Sequence, residues 1–159
     1  MASKRGLVLT AGLLAAITAA SFAIWLPGTS TPTLVVSDPG DHLDGIEAVR
    51  AVLAESIRSE YGAVLEGAPR GPYEESAQAA ARQARGQMAE LLSASPPAGW
   101  EASYAAQAGA VRALGAYIVE TMAAAAEIEA GGPGEAAGRA AGLLEESERL
   151  AAEAMALRP

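Results

Sequence analysis

The chain has 159 residues, with 11 Lys and Arg against 19 Asp and Glu for a formal charge of −8, and no cysteine. Disulfides, thiolate metal sites, a Cys nucleophile and a lipid-modified Cys anchor are thereby excluded. An acidic surface disfavours nucleic acid and anionic headgroups and favours cations or basic partners.

Lys4 and Arg5 precede Gly6–Leu26, a run without a single charge that stops at Pro27. At 1.5 Å rise per residue, that run as a helix covers about the 30 Å hydrocarbon core of a bilayer. No further cation appears until Arg50. The N-terminus is therefore expected in the cytoplasm and everything after Pro27 outside it. Trp25 falls where an amphipathic ring favours the headgroup interface, and Pro27 is a natural stop. Residues 1–27 thus read as a retained signal anchor, a single-pass transmembrane helix in the cell membrane.

Two other fates fit the same residues. A cleavable secretory signal needs a positive start, a short apolar stretch and small residues before the cut. Leu7–Ile17 followed by Thr18-Ala19-Ala20 or Ser21-Phe22-Ala23 meets that need, although Ile24-Trp25-Leu26 extends the apolar run past either cut. The tetrapeptide Lys4-Arg5-Gly6-Leu7, followed by the apolar run, resembles the processing site of type IV pilin-like precursors. In that family the cut falls after the Gly and the apolar helix packs in a filament core. Ala11 stands where many bacterial members carry Glu. All three fates export the remainder. Lys4 and Arg5 supply +2 of the formal −8, so the exported part carries −10.

Residues 28–37 form a linker. Gly28-Thr29-Ser30-Thr31-Pro32-Thr33 is polar and flexible, and Leu34-Val35-Val36-Ser37 is β-prone but too short to found a sheet. From Asp38 to Pro159 the apolar period is helical. The first helix is predicted from Asp38 to about Glu66, with Asp38 as N-cap, Pro39 in the first turn and Asp41 on the positive end of the dipole. Leu43, Ile46, Val49, Leu53, Ile57, Tyr61 and Val64 form its inward stripe.

Gly67–Pro72 ends that helix, and a second is predicted over Pro72–Ser95. Its inner face is mostly small: Ala77, Ala80, Ala81 and Ala84, then Met88, Leu91 and Leu92. A third, over Pro97–Ala130, carries Trp100, Tyr104, Ala108, Val111, Leu114, Ile118, Met122, Ala125 and Ile128 inward. Gly131-Gly132-Pro133-Gly134 breaks it. The fourth, Glu135–Leu157, turns Ala136, Ala140, Leu143, Ser147, Leu150, Ala154 and Leu157 inward and Glu145, Glu146, Glu148 and Glu153 outward. The expected fold is all-α: an N-terminal transmembrane helix, then over 38–159 an antiparallel four-helix bundle or two helical hairpins.

The densest polar cluster, Asp38–Glu47, holds every Asp and the only His. Asp41, Asp44 and Glu47 follow at i, i+3 and i+6, a line of carboxylates beside Asp38 and His42. Such a line is the candidate site for a hard divalent cation such as Ca²⁺. The same acids also suit capping and the helix dipole, and the oxygen spacing of an EF-hand loop is absent. Zinc would want further His or Cys ligands. His42 has no Ser or Cys partner in the pattern, so no nucleophilic centre is predicted and an enzyme is not expected. No fingerprint of a phosphate or dinucleotide cofactor occurs. Trp100 and Tyr104, four residues apart, are expected to pack near a bundle end, with Tyr73 over the same end.

Over Asp38–Leu157 the chain also resembles, in general style, the helical domains of small exported prokaryotic proteins. The shared pattern is a long helix, a Pro-Pro break before Trp100, another long helix and a Gly-rich break before a Glu-rich last helix. That resemblance implies no activity. The expected function is contact with another protein, or with a second copy of the chain. Such a protein is an accessory, scaffold or sensor-like subunit of an envelope assembly, with a pilin-like filament subunit and an exported cation- or small-ligand-binding module as alternatives.

Overall fold

A computed structural model describes residues 34–132 and 134–159. The expected anchor, residues 1–27, and residues 28–33 of the linker lie outside the described residues. Among the described residues, no helix is long and apolar enough to cross a membrane.

Helix α1, Pro39–Leu65, starts as its sequence predicts. Asp38 is extended, and its Oδ1 accepts from the backbone N–H groups of Gly40 (3.0 Å) and Asp41 (3.1 Å). Two otherwise unpaired donors of the first turn are satisfied in this way. Helix α2 covers Arg70–Ser93 and so begins before Pro72. Proline is tolerated there because first-turn N–H groups have no acceptor within the helix.

The end of α2 differs from the expected Ser95. Ala94 and Ser95 are extended (β2) and pair in parallel with Leu34 and Val35 (β1), Leu34 opposite Ala94 and Val35 opposite Ser95. Pro96 drives the residue before it out of the helical region. That frees a short stretch of backbone, and the β-prone run of the linker pairs with it. Helix α3 begins at Glu101 rather than Pro97 and ends at Glu129. Pro97–Trp100 is a turn, closed by the Trp100 N–H donating to Pro97 O at 3.1 Å. Gly99 holds φ at +93° within it, which a side chain would resist. Helix α4 spans Glu135–Ala156.

Cross-helix contacts establish the up-down-up-down bundle in place of two separate hairpins. The start of α1 meets the end of α2 through His42 and Glu90. The start of α2 meets the end of α3 through Arg70 and Glu129. The pairs Arg139–Glu120 and Ser147–Ala110 run antiparallel between α4 and α3. Arg158, just past α4, returns to Asp44 near the start of α1. Tyr73 consequently lies against Tyr61, ring centroids 6.0 Å apart, at the end of the bundle away from Tyr104, which packs on His42. From His42 to Tyr61 the helix rises about 28 Å. An antiparallel neighbour must begin where α1 ends, so Tyr73 does not share the end covered by Trp100 and Tyr104.

Helix α3 is the centre, with buried residues around most of its circumference, and its interface with α4 is the most extensive. Helix α4 buries only Ala136, Ala140, Ser147, Ala151 and Ala154. Such small side chains let two helices approach closely. At Gly109 the approach is close enough that a Cβ would meet Leu150 Cδ1 at 3.1 Å. Alanine buries little apolar area, so the core leans on a few large fully buried side chains, Leu43, Ile57, Leu114 and Ile118. Leu92, Ile128 and Leu157, expected inward, are exposed. Each sits at or just past the end of its helix, where the stripe runs beyond the neighbour it would pack against.

Candidate functional site

Five residues carried the expected cation site, and the bundle does not bring them together. At 3.6 residues per turn, three residues advance about 300°, so a line at i, i+3, i+6 drifts by about 120° around the helix. Asp41 therefore faces the α2 side of α1 and Glu47 the α3–α4 side, with Asp44 between them. Asp38 is occupied in capping. Asp44 accepts from Arg158 Nη2 at 2.7 Å. Among the described residues, no group of three or more His, Asp or Glu is placed to hold a metal ion.

Glu47 belongs to a polar seam inside the bundle. Arg50, only 5% exposed, donates from Nε and Nη2 to the two oxygens of Glu47, each at 2.7 Å. Its Nη1 donates to Ser147 Oγ at 3.0 Å, and Ser147 in turn donates to Ala110 O at 2.9 Å. Gln107 adds Nε2 to Glu47 Oε2 at 2.9 Å. Three helices are thus tied by one bidentate ion pair. Burial raises the pKa of the Glu47 carboxyl; the hydrogen bonds from Arg50 and Gln107, with the charges of Arg50 and Arg158, outweigh it and hold the group below its ordinary value. Within this seam both Glu47 oxygens and all three Arg50 nitrogens are paired with one another, Gln107 or Ser147.

Sequence reading missed Arg50 and Gln107, yet a signal was present. Leu43, Ile46, Arg50, Leu53 and Ile57 recur at core spacing, as do Tyr104, Gln107, Val111 and Leu114. A polar residue at a position the period assigns to the core must find a buried partner.

On its other flank α1 leaves an open cleft against α2 of about 540 Å³. Gly45 and Gly86 face each other across it without side chains, and a Cβ at either would have no neighbour within 4 Å. Ile46 and Val49 supply an apolar floor, and Gln83 and Gln87 stand on the α2 wall. Gln87, 7% exposed, donates from Nε2 to Ile46 O at 2.8 Å, while its Oε1 has no partner among the described residues.

One end of the cleft is acidic, with Asp41, Glu90 and His42. His42 bridges three helices: Nε2 is 2.9 Å from Glu90 Oε1 on α2, and Nδ1 is 2.8 Å from the Tyr104 hydroxyl on α3. A carboxylate only accepts, so Nε2 carries the proton in this pair. Burial, with the charges of Asp38 and Glu90 nearby, pushes the Tyr104 phenol up, so the hydroxyl stays protonated in its hydrogen bond with Nδ1. The imidazole is thereby fixed as a wall of the cleft. Toward the middle of α1 the groove continues into a second depression over Ala48, Val52 and Leu53, where Val52 is 68% exposed.

Because Gly86 sits in mid-helix with open space beside it, Gly86→Ala is expected to stabilise the bundle by about 0.5–1 kcal/mol. Thermal unfolding followed by circular dichroism reads this directly; a lower Tm would mean the space is not there.

No protein-family model, curated protein or solved structure matches the chain.

Proposed function

We propose that this is a membrane-anchored, extracytoplasmic protein that acts by contact with another protein, and that the partner seats in the α1–α2 cleft. One observation carries the reading. The cleft combines an apolar floor at Ile46 and Val49 with a polar rim and has no side chain at Gly45 or Gly86 to close it. Helical bundles commonly receive a partner segment in such a groove. The anchor reading of residues 1–27 supplies the address, and β1 ties the linker to the bundle at the same end as the acidic mouth of the cleft.

The test uses a photo-crosslinking residue placed at Gln83, in the cleft, or at Glu146, on the exposed face of α4, in membranes of the native host. A discrete protein adduct from position 83, absent from position 146 and lost in Gly86→Phe, is the expected result. Adducts that ignore Gly86→Phe, or none at position 83, would sink the proposal. The intact mass of the membrane-bound protein tests the address separately. A start at Met1 or Ala2 fits the anchor, whereas a start at Leu7 would transfer the protein to the pilin-like reading.

A further inference from the structure

We infer that the cleft selects a helical partner segment presenting a Lys or Arg side chain to Asp41 and Glu90, with aliphatic side chains laid along Val49 and Val52. This inference rests on the reading of the cleft as a protein-docking site and adds the chemistry of what docks.

Charge is the first argument. The Asp41 carboxylate has no hydrogen bond or ion pair among the described residues, although its backbone N–H is held by Asp38. Glu90 gives one oxygen to His42 and keeps the other available, and its side chain is 48% exposed. Among the described residues no Lys or Arg lines the cleft. The last turn of α2 carries no basic residue, so the negative end of its dipole adds to Glu90. Two carboxylates and the C-terminal end of α2 therefore converge on one mouth, where among the described residues no Lys or Arg offsets them.

The floor is the second argument. A Lys or Arg stem is aliphatic for most of its length and packs on apolar surface while its head reaches outward to charge. Ile46 and Val49 lie directly beside the acidic mouth, so stem and head are served together. Gln87 Oε1, buried in the wall without a partner, offers an acceptor to an N–H donor that presses on the floor.

Length decides between a free amine and a protein segment. From His42 to Leu53 the groove follows α1 for about 16 Å, roughly three helical turns. A small amine occupies only the mouth and leaves Val52 in water. A partner helix with a basic residue at one end and an aliphatic residue about three turns away covers the whole groove.

The probe is a fluorescein-labelled Ala-based helical peptide bearing one Lys and one Leu about three turns apart. Its binding to the full chain in neutral detergent micelles is read by anisotropy, with empty micelles as the blank. Replacing the peptide Lys by Gln is expected to weaken binding roughly tenfold, and D41N/E90Q to abolish that difference. The E90Q side chain still accepts from His42, so the wall of the cleft survives. E145Q/E146Q, on the exposed face of α4, removes the same formal charge elsewhere and is expected to leave binding unchanged.

Equal weakening by both double variants would mean diffuse attraction to an acidic surface and would overturn the inference. Displacement of the peptide by butylamine as effectively as by the unlabelled Lys peptide would also overturn it, reassigning the mouth to a free amine. If Gly86→Phe abolishes binding while D41N/E90Q leaves the difference between the Lys and Gln peptides intact, docking in the cleft stands and cation selection falls. If Gly86→Phe leaves binding intact, both fall.

Discussion

Glu47→Ala is expected to destabilise the bundle by about 3–5 kcal/mol, the cost of leaving a buried charge without its partner. Arg50 remains 5% exposed with Ser147 as its only hydrogen-bond partner, and Gln107 loses the carboxylate it donates to. Urea unfolding of the full chain by far-ultraviolet circular dichroism measures the loss. A change below about 1 kcal/mol would show that the pair behaves as an exposed one. A second variant separates specificity from stability. Glu47→Leu with Arg50→Met removes both charges, and swaps of that kind are often neutral or stabilising, so the double variant is expected to recover most of the loss. Its cost, if the ion pair sets the register of α1 on α3 and α4, is a less cooperative transition.

The same group fixes a pH dependence. The folded-state pKa of Glu47 lies below its unfolded value. Its contribution to stability is therefore complete above the unfolded value and is lost as pH falls through the folded one. In an acid titration of stability, Glu47→Gln is expected to lack that part of the acid limb while resembling the parent in the slope near neutral pH. An unchanged acid limb would assign it to other carboxylates.

Leu114→Ala is expected to cost about 2–5 kcal/mol. Leu114 is fully buried on α3, the helix with the most extensive contacts to the rest of the bundle. The core cluster it belongs to includes seven alanines, which have no side-chain length with which to collapse into the space left behind. The cost of a cavity rises with the volume that remains unfilled. An alanine-packed core therefore places Leu114→Ala toward the upper part of that range, and a shift of thermal midpoint in the full chain is the readout. A loss under about 1 kcal/mol would mean that the α3–α4 interface re-forms around the gap.

Much of this architecture was legible in the residues alone because its causes are local. Asp38 and Pro39 start a helix wherever they precede an apolar stripe, and the Gly-rich segment at 131–134 stops one. Those signals act over a single turn, so four helices and most of their inward faces follow from spacing. Where local rules competed, the bounds moved: Pro96 and Pro97 released Ala94 and Ser95 to pair with Leu34 and Val35, and the third helix waited until Glu101.

The site belongs to the tertiary structure. Whether Asp41, Asp44 and Glu47 share a face depends on a drift of about 120° that only matters once neighbours occupy both flanks of α1. Arg50 is buried because Ser147, far along the chain, is brought within 3.0 Å. His42 became a wall of the cleft because Glu90 and Tyr104 arrive from two other helices. The sequence by itself determined that four helices form, where each runs to within a few residues and most of the face each turns inward, since those preferences reside in neighbouring residues. Only packing decided which polar groups are used up inside and which are left at the mouth of a groove, since a partner's position is a property of the whole bundle.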